Sequence, residues 1–219
     1  MIDAEDRRFV AECLDTHFAS FSMMLPARRT PGDAGGVPPD MVAGPIDAEG
    51  WVPWRMLPST VAEADVARLE EALPAPFPPL FRAYLTARFT LGMDWFDLPN
   101  LPSDHPLGEL ETAMNRWPAL WDVGYVCFAD NAEGGAGPLC FDLRNRLPDG
   151  DCPVVLFDQE RLHGLGEGCR ERDRVEALAE PRYPSFREML RSVLLQRPPA
   201  EPEPDETLEE EPPPEDIED

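Results

Sequence analysis

The chain has no lysine: all 19 of its basic residues are arginine. That removes Schiff-base chemistry and the phosphate-cradling lysine of a P-loop. Basic residues are also scarce against 43 Asp and Glu, and the formal net charge is −24. A charge of that sign repels phosphate backbones, so direct nucleic-acid binding is not expected. Long apolar runs are missing as well, since none approaches the roughly 18 residues a membrane-spanning helix needs. The opening Met1-Ile2-Asp3-Ala4-Glu5-Asp6 is acidic where a secretory signal would be basic. The expectation is a cytoplasmic protein that does not engage membranes. Cysteine is odd in number (Cys13, Cys127, Cys140, Cys152, Cys169) and never in CxxC spacing. Free thiols in a reducing compartment follow, with neither a disulfide framework nor a zinc site.

Proline is abundant, with 27 residues, and acid is unevenly spread. Residues 198–219 hold 11 Asp or Glu and 7 Pro without one basic residue, leaving −13 on the rest of the chain. Such a composition predicts a disordered acidic tail. The remaining length suits one domain with appendages. Residues 1–45 read as an amphipathic helix followed by a Pro/Gly-rich connector, and residues 46–197 as the main domain.

Val10, Leu14, Phe18, Phe21 and Leu25 recur at helical spacing, which predicts a helix over 4–25 that Pro26 stops. Residues 26–50 lack periodicity and read as coil. Thr60 with Glu63 three residues on predicts a capping box for a helix that buries Ala62, Val66, Leu69 and Leu73. A second helix follows Pro78-Pro79 and shows Phe81, Tyr84, Leu85 and Phe89 on one stripe. A weaker helix covers about 107–116. The period then changes, and 125–129, 138–143 and 153–158 read as three short strands of an antiparallel meander. A last helix starts at Ser185, with Glu188 three residues on, and buries Phe186, Leu190, Val193 and Leu194. The fold class is therefore α+β, a mostly antiparallel sheet covered on one face by helices.

Few residues suggest chemistry. A thiol nucleophile needs an imidazole beside it, and only Cys169 sits in a plausible loop near one of the histidines, His163. No Gly-x-Ser-x-Gly elbow is present. Asp142, Asp149, Asp151 and Asp158 bracket a hairpin, and they read as turn formers that bond their own backbone in preference to metal ligands. Gly134-Gly135-Ala136-Gly137 lies between two strands, where glycine serves a hairpin turn and no helix N-terminus attends a phosphate. No cofactor and no metal are expected. Met93-Asp94-Trp95-Phe96-Asp97 is different: aromatics between carboxylates, outside any periodic segment, suit a recognition patch, against the plainer reading that Trp95 and Phe96 cap the core.

Several short motifs then occur in a suggestive order. Trp54 leads into Leu57-Pro58-Ser59-Thr60 and a capped helix carrying Leu69-Glu70. Phe77-Pro78-Pro79-Leu80-Phe81-Arg82-Ala83-Tyr84-Leu85 follows, then a strand ending Phe128-Ala129-Asp130 and the segment Leu139-Cys140-Phe141-Asp142-Leu143. Pro153-Val154-Val155 and Tyr183-Pro184-Ser185-Phe186-Arg187-Glu188-Met189-Leu190 close the series. Together they resemble the SUKH superfamily of Smi/Knr-like domains over residues 51–195. Phe77 and Phe81 stand where that family usually has Leu and Tyr, which keeps both positions apolar.

The resemblance implies a binding module without catalytic residues. Many bacterial members are immunity proteins that neutralise a toxin, commonly a nuclease or deaminase, and fungal members act as regulatory scaffolds. An acidic body is suited to meeting a basic nuclease. On that reading Asp94, Trp95, Asp97, Asp130 and Glu133 are the expected contacts with a protein partner. The alternative is a regulatory adaptor that uses the acidic tail to bind cellular partners.

Overall fold

The segment Pro138–Asp142 is buried at every one of its five positions. A strand without alternation must be covered on both faces, and this one is central. In the computed structural model, which describes residues 2–20, 24–26, 36–91, 96–97, 105–131 and 137–195, the helices are α1 (Ala4–Ser20), α2 (Glu63–Glu70), α3 (Pro79–Ala87) and α4 (Gly108–Arg116), then α5 (Gln159–Leu165), α6 (Arg172–Glu176) and α7 (Phe186–Leu195). The strands are β1 (Met24–Pro26), β2 (Trp51–Pro53), β3 (Leu57–Pro58), β4 (Arg88–Phe89) and β5 (Phe96–Asp97), then β6 (Tyr125–Asn131), β7 (Pro138–Asp142), β8 (Val154–Leu156) and β9 (Glu180–Tyr183). Strands β5 to β9 form a five-stranded antiparallel sheet in sequence order. The class is α+β.

On one face, Phe128 and Phe141 stack across β6 and β7 with ring centroids 3.9 Å apart. Phe81 of α3 meets Phe141 at 4.9 Å and Phe186 of α7 at 5.2 Å, both edge-on. Phe77 joins them from the α3 approach, 5.1 Å from Phe81. Helices α1 and α4 contribute Val10, Leu14, Leu110 and Met114 to this same core.

The other face carries a second layer. Tyr125, Cys127, Cys140, Val155 and Phe157 pack there against Leu162 of α5, Val175 of α6 and Leu120 and Val123 of a 3-10 segment. Arg172 holds this layer down. Its Nη1 donates to the Val123 carbonyl at 2.6 Å, its Nε to Glu176 at 3.1 Å, and its guanidinium lies over the Tyr125 ring. Sequence patterning defines no elements over 159–179, because three short helical pieces broken by glycine and polar residues show no sustained period.

Helix α1 docks on the body through α3 and α7, burying Val10, Cys13, Leu14 and His17. Arg187 pairs with Asp6 at 2.8 Å, and the Arg187 and Arg191 guanidinium groups lie over the Phe9 ring at 4.5 and 5.4 Å. The helix ends at Ser20, earlier than the expected 25, and Leu25 belongs to β1, paired with Val52. Phe21 lies outside the described residues. The expected coil over 26–50 contains a 3-10 turn, Pro39–Met41, whose Met41 is buried with Val37, Val52 and Leu91.

Two other expectations shift. Helix α2 begins at Glu63 behind Ala62, not behind Thr60. Ser59 Oγ donates to the Leu85 carbonyl and accepts from Val61 N–H, which keeps the chain extended past Thr60. Asp65 then accepts from Ala62 N–H at 2.8 Å, the reciprocal half of a capping box, while Glu63 receives Arg7. Phe89 leaves the α3 stripe because the helix stops at Ala87 and Phe89 pairs with Leu57 in an antiparallel ribbon. At α7, Ser185 Oγ accepts from Glu188 N–H as expected.

A buried carboxylate completes that last cap. Asp151, 3% exposed, accepts from the backbone N–H groups of Cys152, Phe186 and Arg187 at 2.8–3.2 Å. Asp151→Ala would leave those donors unpaired at a helix N-terminus, and a loss of about 2–3 kcal/mol is expected in urea unfolding. Asp149→Ala removes one part-buried turn bond and is expected to cost about 0.5 kcal/mol; equal losses would contradict the cap. His17 supplies a pH dependence. It is buried, its Nδ1 donates to the Leu194 carbonyl at 3.2 Å, and burial holds its pKa below the usual 6.5. Its stabilisation is complete above that value and falls as pH drops towards the lowered pKa, because the unfolded chain takes up the proton first. His17→Asn is expected to flatten the fall in unfolding midpoint below pH 6.5, and an unchanged slope would assign it elsewhere.

Candidate functional site

The two acidic segments singled out in the sequence meet at one end of the sheet. In the β5–β6 ladder Asp97 stands directly opposite Asp130, and Phe96 opposite Asn131. Strand β5 is one of the two outer strands of the described sheet. The register of β6 slips between Cys127 and Ala129. This bulge puts Phe128 and Ala129 both on the main-core side, and it immediately precedes Asp130. Bulges of this kind re-aim the residues that follow them. Asp94, Trp95 and Glu133 lie outside the described residues. What sequence spacing could not show is that 97 and 130 are paired neighbours, since β5 carries only two residues and no alternation.

Gly137 closes the connection into β7. A Cβ at this position would run into the Phe157 carbonyl oxygen, and Phe157 N–H donates to the Pro138 carbonyl at 3.2 Å. Close backbone approach accounts for this glycine, in keeping with the hairpin reading.

Two concave sites went unnoticed in the sequence because distant segments build them. One, of about 290 Å³, gathers Asp3, Glu5, Asp6, Asp149 and Asp151 around Arg187. Its carboxylates are largely engaged: Asp6 with Arg187, Asp3 with Glu5 N–H, Asp149 with Asp151 N–H, and Asp151 in the α7 cap. The other, of about 460 Å³, lies between α2 and the start of α4 and is lined by Thr60, Asp65, Arg68, Leu69, His105 and Glu111. His105 Nε2 and Glu111 are 3.0 Å apart there.

Burial works against nucleophilic chemistry at Cys169. Cys169 is buried, its thiol donates to the Leu162 carbonyl at 3.4 Å, and burial pushes its pKa up, opposite to the need of a nucleophile. His163 bonds the Gln159 carbonyl at 2.9 Å and lies against the Trp117 ring. Cys152 is likewise pushed up by burial, with Asp151 beside it. The four hairpin aspartates act as backbone acceptors: Asp142 for Arg144, Asp149 for Asp151, Asp158 for Arg161, and Asp151 as described. Among the described residues no three His, Cys, Asp or Glu side chains converge to hold a metal ion, and no helix is long and apolar enough to cross a membrane. In the native chain, iodoacetamide is expected to alkylate Cys169 at least about tenfold more slowly than an unstructured cysteine peptide at the same pH; parity would show an accessible, activated thiol.

A comparison with protein families matches residues 60–192 to a model described as the SMI1 / KNR4 family (SUKH-1). No curated protein and no solved structure matches.

Proposed function

Because the chain belongs to the SMI1 / KNR4 family (SUKH-1), we propose that it is a non-enzymatic protein-binding module of the immunity type, which binds and neutralises a basic, nuclease-type toxin. The observation that carries the proposal is the Asp97–Asp130 pairing at the outer edge of the sheet. Two acidic residues share one register position there, and a cationic partner suits such a position. The net −13 outside the tail acts in the same direction over longer range, accelerating encounter with a positively charged surface. The carboxylates of the Arg187 cleft are engaged within the fold, which favours the β5–β6 pair over that cleft. The raised thiol of Cys169 supports the non-enzymatic reading.

The test uses the full chain, since α1 supplies part of the core. A partner captured from native lysate is purified, and its association rate is measured at low and moderate salt. Charge reversal at Asp94, Asp97, Asp130 and Glu133 together is expected to slow association about 10- to 100-fold at low salt and to flatten its salt dependence. An unchanged rate would remove this surface from the proposal. If the partner is a nuclease, stoichiometric chain should abolish its cleavage of nucleic acid.

The composition of residues 198–219 favours a second reading, a Smi/Knr-type adaptor. Deleting that segment separates the two: an adaptor loses its partners, and an immunity module keeps its affinity.

A further inference from the structure

Cys127 and Cys140 face each other across β6 and β7, with sulfur atoms 2.7 Å apart. The Leu143 N–H donates to the Gly124 carbonyl at 3.0 Å, which marks that pair as a hydrogen-bonded one. Alternation along the ladder makes 125 with 142 non-bonded, 126 with 141 bonded, and Cys127 with Cys140 non-bonded. At such positions the Cα atoms approach to about 4.5 Å, within the span a disulfide bridges. Both side chains are buried in the layer formed with Val155, Phe157 and Leu162. The other thiols are elsewhere: Cys13 and Cys152 pack in the main core, and Cys169 bonds the Leu162 carbonyl.

We propose that Cys127 and Cys140 form a dithiol site that hydrogen peroxide oxidises to a cross-strand disulfide. The thiolate of one cysteine attacks the peroxide O–O bond, giving a sulfenic acid and releasing water after protonation. The second thiol attacks that sulfur, the S–O bond breaks, and a second water leaves. Two electrons pass from the sulfur pair to the peroxide, and the two thiol protons end in the two waters. Burial restricts the oxidant to a small neutral molecule, and peroxide is one. The cross-link ties β6 to β7 at the residue entering the bulge, three positions before Asp130, so the oxidised chain holds β6 and β7 in a single register there.

The native full-length chain is treated with hydrogen peroxide, the excess destroyed with catalase, and the chain unfolded in iodoacetamide and digested with trypsin. Residues 117–144 contain both cysteines and no internal arginine, so the linked form is one peptide lacking two hydrogens and carrying no alkyl group. It is expected at least about tenfold in excess of any pairing that involves Cys13, Cys152 or Cys169, as pre-aligned reacting atoms dictate, and dithiothreitol reverses it. Cys140→Ala should abolish the two-hydrogen loss. Should that variant fail to fold, oxidation of the wild-type chain in urea should lose the preference among pairings. Cys127 and Cys140 alkylated as in untreated protein, consumption of the other thiols first, or conversion to sulfinic acid without a link would each overturn the proposal.

Discussion

The structure depends on the contact among Phe81, Phe128, Phe141 and Phe186, one ring from each of two helices and two strands. Four fully buried aromatic side chains in stacked and edge-on contact supply a large share of the apolar burial that drives folding. It also explains what short motifs scattered over more than a hundred residues have in common. The α3 segment, the two central strands and the start of α7 are remote in the chain, and each supplies a ring to one cluster. Asp151 then fixes the angle at which Phe186 enters, since it caps the backbone at Phe186 and Arg187.

The second face of the sheet is held differently. Its layer is thinner, built from short helices, and depends on Arg172 reaching Val123, Glu176 and the Tyr125 ring. With both faces covered, β7 is buried along its whole length. β9 meets solvent with Glu180, Pro181 and Arg182 exposed, a composition that blocks further strand pairing. β5 is two residues long and sits opposite an acidic neighbour.

The parts legible in the sequence were those with a strong period or punctuation: α3 after Pro78-Pro79, α7 after Ser185, and the three inner strands. The outer strands were not, because edge positions carry polar residues and prolines that look like turns. Thr60 misled for a tertiary reason, as Ser59 bonds Leu85 and holds the chain extended where local signals favour a helix. Phe89 fits helical spacing from Phe81, yet strand pairing with Leu57 takes it. Of the candidate surface, the acidic character of both segments was readable, whereas the facing of 97 and 130 required a sheet register that no local pattern encodes. The two clefts were illegible for the same reason, each being assembled from segments far apart in sequence.

A sheet covered on both faces carries the Asp97–Asp130 pair at one edge strand, the position that the proposal gives to the partner. The most direct measurement is amide hydrogen exchange of the full chain, alone and with its purified partner. The account predicts added protection concentrated at residues 94–97 and 130–133. Protection confined to the groove between α2 and α4, or to the cleft around Arg187, would contradict it.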